Sequence, residues 1–136
     1  MNKLQNKLYE LLTKFERICQ KHNITYYLGG GTALGAIRHH GFIPWDDDID
    51  LYITRENLQK IVDFREEFEK EGLVYLDHSL YKNYSNCICR LVDEKSTMMI
   101  ASRMIDDHPK GYFLELFILD AMPLNLEEKF QWRKKH

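Results

Sequence analysis

Apolar residues in the first twenty positions recur in steps of three and four: Leu4, Leu8, Leu11, Leu12, Phe15, Ile18 and Cys19. That spacing predicts an amphipathic helix from Asn2 to Lys21, packed by one stripe on a sheet and ended by His22-Asn23. Its remaining Lys, Glu, Gln and Asn residues read as a wet face with no catalytic part. The pattern then shortens. Ile24 to Leu28 predicts a strand running into Gly29-Gly30-Gly31, with Thr32 as the N-cap of a short helix, Ala33 to His39. Ile49 to Ile53 predicts a second strand, and Thr54 caps a helix from Arg55 to Glu71 that buries Leu58, Ile61, Val62 and Phe68 and stops at Gly72.

Leu73 to Leu76 reads as a strand and Tyr81 to Asn86 as a loop. Cys87 to Val92 and Thr97 to Ala101, separated by Asp93-Glu94-Lys95-Ser96, have the pattern of a hairpin. Ser102 to Lys110 reads as an exposed loop: Asp106-Asp107-His108 brings ligand-type groups together, but Pro109 and the lack of apolar alternation favour a turn over a metal site. Tyr112 to Asp120 is the most apolar run and predicts a central strand, followed by a helix from Glu127 to His136 that ends in a basic cluster. Strands and helices in this order predict an α/β fold, a small mixed sheet flanked by helices.

With 136 residues, 44% of them hydrophobic, the chain suits one domain with a proper core rather than two. A formal net charge of -2 with interspersed signs supplies no basic field for sequence-independent binding, so nucleic acid is not an expected partner. Cys19, Cys87 and Cys89 have neither zinc-knuckle nor redox-pair spacing, which fits a reduced, cytoplasmic protein; Cys87 and Cys89 are expected to share one face of a strand as packing residues. No stretch has the apolar length of a membrane span, and the N-terminus lacks the apolar core of a secretory signal.

The candidate chemistry gathers between Tyr26 and Ile53. Three glycines ahead of a helix N-terminus let backbone N–H groups approach an anion, phosphate above all, although such a run is by itself most often a plain turn. Asp46, Asp47, Asp48 and Asp50 follow. Alternation places Asp48 and Asp50 on one face with Ile49 and Leu51 turned inward, and like charges so close call for a hard cation, Mg²⁺ or Mn²⁺. Asp46 and Asp47 read as loop or supporting residues, Asp47 being the better candidate of the two. Glu115, in the middle of the central strand, is the natural third ligand, because a carboxylate there is costly to bury unless it is paired or bound to a cation. Arg38 either offsets the dipole of the short helix or forks onto a phosphate. Arg90 either faces solvent or reaches a phosphate from the sheet. His39 and His40 read as loop residues, and Trp45 as an anchor of the acidic loop in the core, the alternative being a wall of a ligand pocket.

The run Leu28-Gly-Gly-Gly-Thr-Ala-Leu-Gly-Ala-Ile-Arg-His-His-Gly-Phe-Ile-Pro-Trp-Asp-Asp-Asp-Ile-Asp50 resembles the core motif of the LicD family. These are phosphocholine-type transferases of the DNA polymerase beta-like nucleotidyltransferase superfamily, and fukutin-related proteins carry a similar motif. The superfamily has a glycine turn after one strand, an Asp-x-Asp on the next and a third carboxylate later; Gly30-Gly31, Asp48-Ile49-Asp50 and Glu115 fill those places. The stretch between turn and acids, Ala33 to Asp47, is longer than the minimal pattern, as in LicD-type chains, and Glu115 stands where Asp is frequent.

The resemblance implies a nucleotidyltransferase-like catalytic core over residues 1–136, truncated at its C-terminus relative to longer LicD-like proteins. The implied enzyme is a metal-dependent transferase that moves a phosphocholine-like phospho-alcohol from a CDP-linked donor to a cell-surface glycan such as lipopolysaccharide or teichoic acid. Asp48, Asp50 and Glu115 would hold Mg²⁺ or Mn²⁺ and carry catalysis, while Gly30, Gly31, Thr32, Arg38 and Arg90 would bind the donor phosphates. A lipid-linked acceptor would bring the chain to a membrane peripherally. The rival readings are a transferase of whole nucleotides to a small molecule, and a non-catalytic metal- or nucleotide-binding module.

Overall fold

The computed structural model describes residues 1–84, 86–98 and 108–135. Its elements are α1 (Lys3–Lys21), β1 (Tyr27–Leu28), α2 (Gly30–His39), β2 (Asp50–Thr54), α3 (Arg55–Asp63), α4 (Arg65–Lys70), β3 (Leu73–Leu76), β4 (Cys89–Asp93), β5 (Phe113–Leu119) and α5 (Leu126–Lys135). The strands form one open sheet in the order β1-β2-β5-β4-β3. Among the described residues only β2 and β5 run parallel; the other neighbours are antiparallel, so the sheet is mixed as expected.

Each strand turns its alternate apolar residues to the same side. Leu51, Ile53, Leu91, Leu114 and Leu116 meet Leu8, Leu11, Phe15 and Ile18 of α1, Ile61 of α3 and Phe68 of α4 in one buried cluster. At about 25 cal/mol per Å² of apolar surface removed from water, this face drives the assembly of the sheet with its helices. Asn2 and Gln5 close the start of α1 with a reciprocal capping box, and Asn23 ends the helix region with a φ of 52°.

The opposite face of the sheet is laid out in rows. Leu76, Arg90, Glu115 and Asp50 are successive register partners across β3, β4, β5 and β2. Val74, Val92 and Phe113 form the row to one side, and Tyr84 closes over them with Leu76 and Tyr81 in a second small cluster. His108 packs edge-on against Tyr84, with ring centroids 5.3 Å apart.

Several expected boundaries differ. β1 is limited to Tyr27 and Leu28, because the amides before it are engaged elsewhere: Ile24 N–H donates to the Cys19 carbonyl and Thr25 N–H to Asn57 Oδ1. The single helix expected over 55–71 is two, broken at Phe64, whose ring stacks on His22 with centroids 3.7 Å apart. Gly72, with φ of 82°, does terminate it. The hairpin expected between Cys87–Val92 and Thr97–Ala101 is not seen among the described residues: β4 lies between β3 and β5, and Thr97 and Met98 belong to no strand. Positions 99–101, Asp106 and Asp107 lie outside the described residues. Cys87 precedes β4 and is exposed, so it does not share a packed face with the buried Cys89.

Candidate functional site

The chain delivers its acids in two ways, from a strand and from a loop. Asp50 opens β2 and faces Glu115 directly across the parallel pair, so both side chains leave the same side of the sheet. Ile49 is fully buried and its carbonyl accepts from Glu115 N–H at 3.0 Å, which extends the pairing one residue before β2. Asp48 lies just outside the strand, half-buried, where the charges of Asp50 and Glu115 reach it. Burial, followed by the charges of Asp50, Asp46, Asp47 and Glu115, pushes Asp48 up to about 6. Asp50 is raised by burial and by Glu115 and Asp46.

The acidic loop is held by a residue that sequence reasoning assigned to the wet face of α1. Gln5 is buried, and its amide nitrogen donates to the carbonyls of Ile43 (3.0 Å), Pro44 (3.3 Å) and Asp46 (2.9 Å). A signal was available, since Gln5 lies three residues before Leu8 on the apolar stripe. Asp46, Asp47 and Asp48 bring carboxylate oxygens within 4.8 Å of one another. Among the described residues Asp46 Oδ2 is buried without a hydrogen-bond partner, a state that a bound cation relieves. Hard oxygen donors with raised proton affinities and an orphaned buried oxygen fit a divalent cation of the Mg²⁺ or Mn²⁺ type. Asp46, rather than the exposed Asp47, is the one directed at the glycine turn.

That turn begins α2. The helix starts at Gly30 with Gly29 as its N-cap, so Thr32 is not the cap expected. The Thr32 hydroxyl instead accepts from Asp50 N–H at 2.9 Å and ties the first turn of α2 to the start of β2. Gly29 N–H donates to the Asp50 carbonyl at 2.9 Å and completes the tie. Gly30 takes φ of 43°, and a Cβ there would lie 2.4 Å from Asp50 Oδ2; one at Gly31 would lie 2.8 Å from Asp46 Oδ2. Only glycine allows this approach of backbone to carboxylate. The first N–H groups of α2, which have no partner four residues back, open beside the acids.

The two arginines are placed differently. Arg90 is nearly buried, donates from Nε to Glu115 Oε1 at 3.0 Å and from Nη2 to the same oxygen, and lies over the Phe113 ring 3.9 Å from its centroid. It neither faces solvent nor stands free for a phosphate. Arg38 is exposed near the C-terminal end of α2, eight residues past Gly30 and so about 12 Å along the axis. His40 ends that helix in the left-handed conformation, φ 55°, in keeping with a loop role. Trp45 is not a core anchor: it is 79% exposed beside the acidic loop, because Gln5 supplies the anchoring instead.

Residues 23–121 match the family model described as LicD/FKTN/FKRP, nucleotidyltransferase domain. The chain is 35% identical over 128 residues to the lipopolysaccharide cholinephosphotransferase LicD of Haemophilus influenzae, an alignment that covers 93% of this chain and 46% of that protein. It is 31% identical over 115 residues to an uncharacterized protein of Rickettsia prowazekii, covering 79% of this chain and 42% of the relative. Over 41 residues it is 44% identical to the human ribitol 5-phosphate transferase FKRP, 30% of this chain and 8% of that protein. The chain thus spans less than half the length of the relatives it matches most extensively.

Proposed function

The chain belongs to the LicD/FKTN/FKRP nucleotidyltransferase-domain family, and on that premise we propose that it forms the donor-handling core of a transferase that moves a phospho-alcohol from a CDP-linked donor to a glycan. The observation that carries the reading is the close seating of the glycine turn on the acids, Gly30 against Asp50 and Gly31 against Asp46. A helix N-terminus and a carboxylate cluster repel opposite parts of most ligands, but a diphosphate with its metal satisfies both at once.

Asp48, Asp50 and Glu115 are assigned to hold Mg²⁺ or Mn²⁺, with Asp46 beside them. When bound, that ion supplies charge neutralisation for the diphosphate and for the phosphate that leaves. The N–H groups of Gly30 and Gly31 orient the donor, and the Thr32 hydroxyl keeps that turn registered to β2. Arg38 is assigned to the donor phosphates from the far end of α2. Arg90 would reach a phosphate only by giving up its Glu115 contact, which would free Glu115 for the cation.

The relatives are named for choline phosphate and ribitol 5-phosphate transfer, and a phosphocholine-like group is favoured because the cholinephosphotransferase aligns over most of this chain. The acceptor is a cell-surface glycan, reached in the cytoplasm and at the membrane surface if lipid-linked; no helix of the described residues is long and apolar enough to cross a membrane. Calorimetry of CDP-choline, CDP-ribitol, CTP and ATP with Mg²⁺ tests the donor class. Binding of a CDP-alcohol in preference to ATP, lost in Asp50→Asn, is the expected result. Preference for a nucleoside triphosphate, with its pyrophosphate released, would replace this reading with nucleotide transfer.

A further inference from the structure

The sheet face that presents Asp50 and Glu115 carries a second row one pleat further along. Tyr27 pairs with Tyr52, and Tyr52 with Phe117. Register partners share a face, as do residues two apart on a strand, so this aromatic row runs beside the charged row at about 6.6 Å. Tyr52 and Phe117 meet with ring centroids 5.8 Å apart and planes at 89°. The Tyr52 ring also reaches the glycine turn, since a Cβ at Gly29 would lie 2.8 Å from its Cε1. Tyr27, 55% exposed, forms the outer end of the row.

Perpendicular rings make a corner, whereas a nucleobase stacks on a flat, parallel platform. A rounded group fills a corner, and the neighbouring carboxylates make a cation the favoured one. The same face shows the preference within the chain: Phe113, two residues before Glu115, already has the Arg90 guanidinium over its ring. Phe117 is the matching ring two residues after Glu115. We infer that the Tyr52–Phe117 corner, walled by Tyr27, seats the quaternary ammonium of the transferred alcohol. The inference rests on the donor reading above and adds the residues that select the alcohol. A neutral polyol would need hydrogen-bonding groups along this wall, and among the three rings only the tyrosine hydroxyls offer them.

The test uses the 136-residue chain with Mg²⁺ and compares CDP-choline, CDP-ethanolamine, CDP-ribitol and CMP by calorimetry. The wild type binds CDP-choline tightest. Tyr52→Leu and Phe117→Leu each weaken it about fivefold while CMP affinity stays unchanged, and Tyr52→Phe, which keeps the ring, retains it. Nuclear Overhauser contacts from the trimethylammonium protons to the Tyr52 and Phe117 rings in the wild type give a readout independent of any variant. Equal weakening of CMP and CDP-choline would place the base in the corner and overturn the inference. CDP-ribitol binding as tightly as CDP-choline would also overturn it while leaving the donor reading standing. Failure of every CDP-alcohol to bind would overturn both.

Discussion

Arg90 and Glu115 are register partners on adjacent antiparallel strands, and the arginine places two N–H donors on a single glutamate oxygen in a site where both side chains are nearly out of water. One oxygen of Glu115 is thereby satisfied within the sheet, and the carboxylate is held in register with Asp50 on the strand beyond. In the absence of a divalent cation, Arg90 is the charge that makes a buried Glu115 tolerable.

Removing that charge has a direction. Arg90→Ala leaves Glu115 beside Asp50 with no counterion, and losing one partner of a buried pair costs about 3 kcal/mol or more. Chemical denaturation of the metal-free chain measures the loss, and saturating Mg²⁺ should recover part of it by replacing the missing positive charge. An Arg90→Ala chain as stable as the wild type without metal would show that Glu115 does not need Arg90 as its counterion, and the three-carboxylate assignment would lose its basis.

The raised proton affinity of Asp48 sets a pH dependence. Its folded value of about 6 lies above the ordinary 3.8, so the folded state holds a proton that the unfolded chain releases. Stability from this group is therefore full below about 4 and declines as pH rises to about 6, with a flat course beyond. The melting temperature of the metal-free wild type, taken relative to Asp48→Asn, should fall across that window, and Mn²⁺ affinity should rise across it as the carboxylate ionises. A difference between the two chains that does not change with pH would mean that Asp48 is not shifted.

Gly30→Ala must place a methyl group 2.4 Å from Asp50 Oδ2 and adopt a φ of 43°. The backbone conformation alone costs about 1–2 kcal/mol, and Asp50 must move as well. The expected outcome is a less stable chain with much weaker Mn²⁺ binding. Gly41→Ala, with none of the described residues within 4 Å of the added Cβ, is the control and should change stability by less than about 0.5 kcal/mol. Matching behaviour of the two variants would remove the argument for the turn as part of the site.

The placement of these residues was legible in the sequence to the extent that parity and period decide it. The helix from 3 to 21 follows from its stripe, β2 from its alternation and β5 from being the most apolar run, while the shared face of Asp50 and Glu115 comes from the register of the parallel pair. Periodicity names a strand but not its neighbour, which is why β4 was expected in a local hairpin and instead lies between β3 and β5. The break at Phe64 has no Gly or Pro to announce it and coincides with a ring contact to His22, just past the end of α1. Loop residues obey no period at all. The size of Trp45 favours an inward anchor, whereas the loop is held by Gln5 and leaves the indole outside.

Gln5 accordingly provides the most discriminating test of how the acidic loop is built. Its side chain has two separable duties: Oε1 accepts from Asn2 N–H in the capping box, at 3.2 Å, and Nε2 donates to the carbonyls of Ile43, Pro44 and Asp46. Gln5→Glu keeps an acceptor for the cap but turns a carboxylate toward three carbonyl oxygens, which repel it. Gln5→Leu removes both duties and leaves buried carbonyls unsatisfied, at about 1–3 kcal/mol for each group that finds no water. Both variants should melt earlier than the wild type. Because Asp46 is one of the tethered residues and Asp48 lies two positions on, both should also bind Mn²⁺ about tenfold more weakly, measured well below the melting transition, since a loosened loop must be ordered by the ion itself. If Gln5→Glu matched the wild type in melting temperature and in Mn²⁺ affinity, the cap would be the whole of its role, and the acidic loop would owe its position to the glycine turn alone.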